Sequence, residues 1–171
     1  VETRTLELTQ ANRQLQQEIT ERRQVEGKLR DSEEKFRRIT SSAKDAILMM
    51  DDEGNISYWN EAAKEIFGFS ASEALGKELH RFLTPPKYYD AYREGFRTFR
   101  ATGHGPAVGQ TLELTALRRD GTEFPMELSL STVKIEDRWH SIGIIRDITE
   151  RKRTEEELKK TQSQLIKSEQ M

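Results

Sequence analysis

TLELTALRRDGTEFPMELSLSTVKI, residues 111–135, carries the reading of the fold. Before the turn, Leu112, Leu114 and Ala116 alternate with Glu113 and Thr115. After it, Met126, Leu128 and Leu130 alternate with Glu127, Ser129 and Ser131. Alternation of period two is the mark of a strand with one apolar and one wet face. The Asp120-Gly121 dipeptide between the two runs predicts a hairpin, because it supplies the backbone angles a tight reversal needs.

Downstream, Glu136-Asp137-Arg138 turns into a last strand, Trp139 to Ile148. Upstream, DDEGN (51–55) separates DAILMM (45–50) from ISYWN (56–60), a second hairpin signal. Five antiparallel strands are expected, two before position 60 and three after 110. Between them lie helix signals. Asn60 is an N-cap type and Gly68 a C-terminal stop. Ser70-Ala-Ser-Glu73 has the form of a capping box for a short helix ending near Gly76. Pro85-Pro86 opens a longer helix, Lys87 to Thr102, with Tyr88, Tyr92, Phe96 and Phe99 on one stripe. The arrangement is α+β, with helices over one face of an antiparallel sheet.

The middle, residues 41–149, holds all four prolines and every aromatic but Phe36, and is long enough for one core. The flanks, 1–40 and 150–171, are dominated by charged and polar residues. From Leu8 to Ile39 there is no Pro and one Gly. Leu8, Asn12, Leu15, Ile19, Arg22, Val25, Leu29, Ser32, Phe36 and Ile39 are spaced three or four apart, with one three-residue discontinuity at Arg22–Val25. This predicts a coiled-coil helix with a stammer, its apolar seam at Leu8, Leu15, Ile19, Val25, Leu29 and Phe36. Thr154, Leu158, Thr161, Leu165 and Ser168 repeat the spacing, with Leu158 and Leu165 the strong positions. Two such helices flanking one domain point to a parallel homodimer; the competing reading is a solvated single helix.

DAILMMDDEGNISYWNEAAKEIFGFSASEALGKEL, then RRDGTEFPMELSLS, then GIIRDITERKR, resembles a PAS domain over residues 40–150. Asn60 after the second strand, the R-R-D-G-T-E-F-P turn and the terminal D-I-T carry the likeness. ERRQVEGKLRDSEEKFRRI is similar to the signalling helix that precedes many PAS domains. The tail ERKRTEEELKKTQSQLIKSEQM resembles the linker into the core of bacterial sensor histidine kinases. The resemblance implies a sensory, signal-relaying module, dimeric through its flanks, acting on a kinase core that would follow in cis. The absence of an initiator Met suggests an excised fragment. The alternatives are a PAS module regulating a diguanylate cyclase or another output, or a cofactor-bearing redox or gas sensor.

Haem-bearing members of the family place a ligating His on the long helix, where this chain has Tyr89. With no cysteine, the thiol-adduct flavin branch, disulfides and thiolate metal sites are excluded. No metal site and no cofactor is expected. The contexts His80-Arg, His104-Gly and His140-Ser lack the acidic neighbour of a kinase phosphoacceptor, and no HExxH, GxSxG or phosphate loop occurs. No catalytic residue is therefore assigned. A net charge of -2 gives no case for nucleic acid. No run of about 18 apolar residues occurs, so no membrane insertion and a cytoplasmic location are expected.

Core candidates are Ile47, Met49, Phe67, Phe82, Tyr92, Phe96, Leu112, Leu114, Met126, Leu128, Ile142 and Ile144. They form either a filled core or a pocket for a small apolar or aromatic ligand, with Tyr88, Tyr92 or His80 as its polar contact. TGHGPAVG (102–109) is read as a mobile connection, alternatively a lid. Finally, no Gly, Pro or Ser spacer separates the last strand from the charged tail. Asp147, Thr149 and Glu150 fall where a capping box would lie, with Asp147 as cap and Glu150 reaching back. An Arg at 146 or 151–153 is the expected partner of Asp147. A stiff joint of this kind would pass motion from strand to helix.

Overall fold

The computed structural model describes residues 1–170, apart from the side chain of Glu169. The chain divides into two compact units, Val1–Ser42 and Ala43–Met171. The first is one helix, α1 (Glu2–Ser42). The second runs β1 (Ala46–Met50), β2 (Ile56–Trp59), α2 (Glu61–Phe67), α3 (Ala71–Ala74), α4 (Leu79–Leu83), a 3-10 turn (Pro86–Tyr88), α5 (Tyr89–Thr102), β3 (Thr111–Leu117), β4 (Glu123–Ile135), β5 (Arg138–Asp147) and α6 (Thr149–Glu169). The strands form one antiparallel sheet in the order β2-β1-β5-β4-β3. The sequence predicts these five strands and misses α4, a five-residue helix too short for its Leu79, Phe82 and Leu83 spacing to establish a period.

The turns follow their residues. Asp51 Oδ1 accepts from the Glu53 and Asn55 N–H groups, and Gly54 takes φ 92°. A side chain at Gly54 would also meet the Tyr92 hydroxyl at 2.9 Å, so the turn requires glycine on both counts. Asn60 caps α2, its Oδ1 accepting from Ala63 N–H at 2.9 Å. The same oxygen accepts from Ile47 N–H, and Nδ2 donates to the Asp45 carbonyl. One buried side chain thus fastens β1 to α2. The Ser70–Glu73 capping box forms with both halves present.

Phe67 and Ile56 are the largest fully buried side chains, packed with Leu48, Trp59, Leu83, Phe124, Met126 and Ile145. Phe67 sits 5.4 Å from Trp59 and 5.6 Å from Phe124 between ring centroids, the latter edge-on. Pro125 breaks no ladder bond in β4. It lies level with Asp147–Ile148 at the end of β5, and its carbonyl accepts from Ile148 N–H.

The helix-facing side of the sheet differs from the sequence reading. In β1 the buried residues are Ala46, Leu48 and Met50, and in β5 Ser141, Gly143 and Ile145 turn to the same side. Ile47, Met49, Ile142 and Ile144 therefore lie on the opposite face, where Ile144 is 44% exposed. The runs AILMM and SIGII are apolar throughout, so alternation gives no phase there. Pairing of Leu48 with Gly143 and Trp59 sets it instead.

Candidate functional site

Between the sheet and α4–α5 lies a cavity of about 300 Å³. Leu48 and Met50 of β1, Leu114 of β3, Met126, Leu128 and Leu130 of β4, and Gly143 and Ile145 of β5 form its floor. Phe67, Leu83, Tyr88, Tyr92, Phe96 and Phe99 close it from the helices. The connection after α5 supplies Gly105, Pro106, Ala107 and Val108 to the wall, and is tied to the sheet by the Gly109 N–H bond to the Leu130 carbonyl. Of the sequence candidates, Phe67, Tyr88, Tyr92, Phe96, Leu114, Met126 and Leu128 line the cavity. Ile47, Met49, Ile142 and Ile144 do not, for the reason of phase given above. Phe82 turns aside to pack at a tilt against Phe69, ring centroids 4.2 Å apart, and Leu112 lies on the edge strand outside the cavity lining.

Few polar groups enter. The Tyr88 hydroxyl accepts from the Thr115 N–H at 3.1 Å, filling an open backbone donor of edge strand β3. The Tyr92 hydroxyl donates to Met50 Sδ at 3.8 Å, and burial, with Glu78 and Asp51 nearby, pushes its pKa up. His80, at the start of α4, stacks on Tyr92 with ring centroids 3.1 Å apart. Burial drives its pKa down to about 3, so it is neutral near pH 7. Its Nδ1 is buried without a hydrogen-bond partner. His80, Tyr92 and Phe96 also line an outer recess with Glu53, Glu78, Arg81, Tyr89 and Arg93. They therefore form the wall between the cavity and that recess.

Tyr89, at the position where the resemblance would place a haem ligand, lines the outer recess and is not part of the cavity wall. Among the described residues no group of three or more His, Cys, Asp or Glu could hold a metal ion.

The second feature is the joint between β5 and α6. Asp147 Oδ1 accepts from Thr149 N–H (2.9 Å) and from Thr149 Oγ1 (2.5 Å). The expected capping box is not what forms. Ile148, buried, occupies the N-cap position, so the helix starts one residue late, and Glu150 pairs with Arg153. The partner of Asp147 is also not a neighbour in sequence. Arg118, from the RRDG turn, donates to Asp147 Oδ2 at 2.6 Å and to the Ile66 carbonyl, and lies 3.9 Å over the Phe124 ring. Arg146 pairs instead with Asp45. Burial raises the Asp147 pKa, but the Thr149 hydroxyl and Arg118 outweigh it and hold the group below the ordinary carboxylate value. Arg151 reaches Glu113 and Glu127, and Lys152 reaches Glu113, so the first turn of α6 is tied to β3 and β4. These partners are 24 to 39 residues upstream, beyond any local motif. The seam residues Leu8, Leu15, Ile19, Val25, Leu29, Phe36, Leu158 and Leu165 are exposed on their helices. No helix among the described residues is long and apolar enough to cross a membrane.

A family model described as PAS fold matches residues 34–148. The chain is 34% identical over 151 residues to the sensor protein FixL of Bradyrhizobium diazoefficiens, covering 87% of this chain and 29% of that one. It is 28% identical over 148 residues to sporulation kinase E of Bacillus subtilis, covering 86% and 19%. The chain thus spans less than a third of either relative. The crystal structure of the PAS domain of a protein from Colwellia psychrerythraea superposes with a TM-score of 0.57 at 23% identity, over 68% of this chain and 97% of that one. Sheet order, helical layer, matched residues and relatives agree: the chain belongs to the PAS family.

Proposed function

We propose that this PAS domain is the sensing and relay module of a dimeric sensor histidine kinase. A small apolar or aromatic ligand in the cavity would bias the sheet, and α6 would carry the bias to a kinase core in cis. The observation that supports this most is the joint. Cavity floor and α6 anchor are the same strands: Met126 and Leu128 face the cavity while Glu127 holds Arg151, and Leu114 faces it while Glu113 holds Lys152. A shift of these strands would move the first turn of α6 with them. Asp147 and Thr149 hold the joint, with Arg118 as the third member; Glu150 belongs to the helix surface.

The test is phase. One residue inserted after Arg153 turns the following helix by about 100°, and seven nearly restore it. In the kinase that carries this segment, activity should follow insertion length with a period near seven, and Asp147→Ala should uncouple ligand from output without unfolding the domain. Equal activity for one, three and seven inserted residues would reduce the joint to a tether.

A further inference from the structure

We infer that the cavity takes an uncharged carbonyl compound with an aromatic body, whose carbonyl oxygen accepts a hydrogen bond from the Ser141 hydroxyl. This rests on the reading of the cavity as a ligand site and adds the chemistry of its occupant. Three observations define that chemistry. First, Ser141 stands on the central strand β5, on the side that faces the helices, and lines the cavity. The residue is 4% exposed, yet its hydroxyl has no hydrogen-bond partner among the described residues. The buried side-chain atoms that are both unpartnered and sealed from water are Nδ1 of His80 and Nδ1 of His140, and Ser141 Oγ is not one of them. The surface this hydroxyl keeps is therefore cavity surface. A polar group left there without a partner costs free energy, and a ligand oxygen removes the cost. Second, the neighbouring hydroxyls make the lining rich in donors. Met50 is the ladder partner of Ser141, and its thioether, a weak acceptor, receives the Tyr92 hydroxyl. The Tyr88 hydroxyl accepts from Thr115 N–H, and its own proton has no acceptor among the described residues. A carbonyl oxygen, which only accepts, is the complement of such a lining. Third, no Lys, Arg, Asp or Glu lines the cavity. A carboxylate or ammonium placed there would lose its water with no opposite charge to meet it. His80, neutral near pH 7, supplies none. The rings of Phe67, Phe96 and Phe99 and the thioethers of Met50 and Met126 suit an aromatic body.

Three probes with one body separate the outcomes: propiophenone, propylbenzene and 3-phenylpropanoate, titrated calorimetrically into the full 171-residue chain at pH 7. The carboxylate should bind weakest. Ser141→Ala deletes a hydroxyl that holds nothing else in the fold. It should weaken the ketone roughly threefold to tenfold, the worth of one neutral hydrogen bond, without weakening the hydrocarbon. In the unmutated chain the carbonyl stretch of bound, ¹³C-labelled propiophenone should lie below its frequency in hexane, because a hydrogen bond softens the C=O bond. That readout is independent of whether the variant folds. A stretch at the hexane frequency, or a variant that treats ketone and hydrocarbon alike, would overturn the role of Ser141 while leaving the cavity a ligand site. Tightest binding by the carboxylate would overturn the assignment of an uncharged ligand. Binding of none of the three would remove this inference and the ligand-site reading together.

Discussion

His80 is the residue in which packing has changed chemistry most. Free in water the side chain titrates near 6.5; burial against Tyr92 lowers it to about 3. The charged and titratable groups around its outer side are Glu53, Glu78, Arg81, Tyr89, Tyr92 and Arg93. Above 6.5 His80 is neutral folded or unfolded and contributes no pH dependence. As pH falls below 6.5 the unfolded chain takes up the proton and the folded chain does not, so stability declines by about 1.4 kcal/mol per pH unit until the folded pKa is reached. Urea unfolding followed down through this window should show that extra slope, and His80→Phe should lack it. Equal slopes for the two proteins would mean that the folded state accepts the proton.

Among the elements, the β4–β5 hairpin carries a visible strain. Its two-residue turn puts Glu136 at φ 47° and Asp137 at φ 67°. Both are left-handed, as a turn matched to strand twist demands; Asp137 tolerates the region, whereas Glu136 adopts it at a cost and glycine is the easier residue at the second position. Glu136→Asn with Asp137→Gly supplies the preferred pair. The change removes the Lys134–Asp137 ion pair, but Asp137 is 92% exposed and such a pair is worth little. The double variant should gain about 1 kcal/mol and melt about 2–4 °C higher by circular dichroism. An unchanged or lower melting temperature would show that the hairpin accommodates its own turn without cost. The strand carrying this turn is the one that ends at Asp147, so the substitution also asks whether stiffening one end of β5 alters the joint at the other.

For the chain taken together, the open question is its partner. Leu8, Leu15 and Leu29 on α1 and Leu158 and Leu165 on α6 are between 55% and 65% exposed, more than isolated apolar side chains on a stable single helix would gain from. A parallel dimer would cover each set with its own copy. Sedimentation at micromolar concentration should give a dimer, and Leu15→Asp should shift it toward monomer by placing charges in the seam. Because the chain has no cysteine, Leu8→Cys installs a single thiol. In a parallel dimer it should form an interchain disulfide on mild oxidation. A monomer that resists this cross-link would refute the seam.

Much of this protein was legible from local pattern alone. Alternation at 112–116 and 126–130, Asp-Gly at 120–121, the Asn60 cap and the Ser70–Glu73 box each act over a few residues, and each appears as read. Besides α4, two things were not legible. The facing of β1 and β5 could not be read from AILMM and SIGII, because uniformly apolar strands have no periodic signal and neighbouring strands decide which side is covered. The joint could not be read either: the sequence placed Asp147 in a local box with Glu150, and the fold pairs it with Arg118, 29 residues away. Local rules govern turns and caps, whose partners lie within one turn of chain. Cavity volume, the isolation of His80 Nδ1 and the partner of Asp147 depend on which surfaces meet, and only the folded chain determines that.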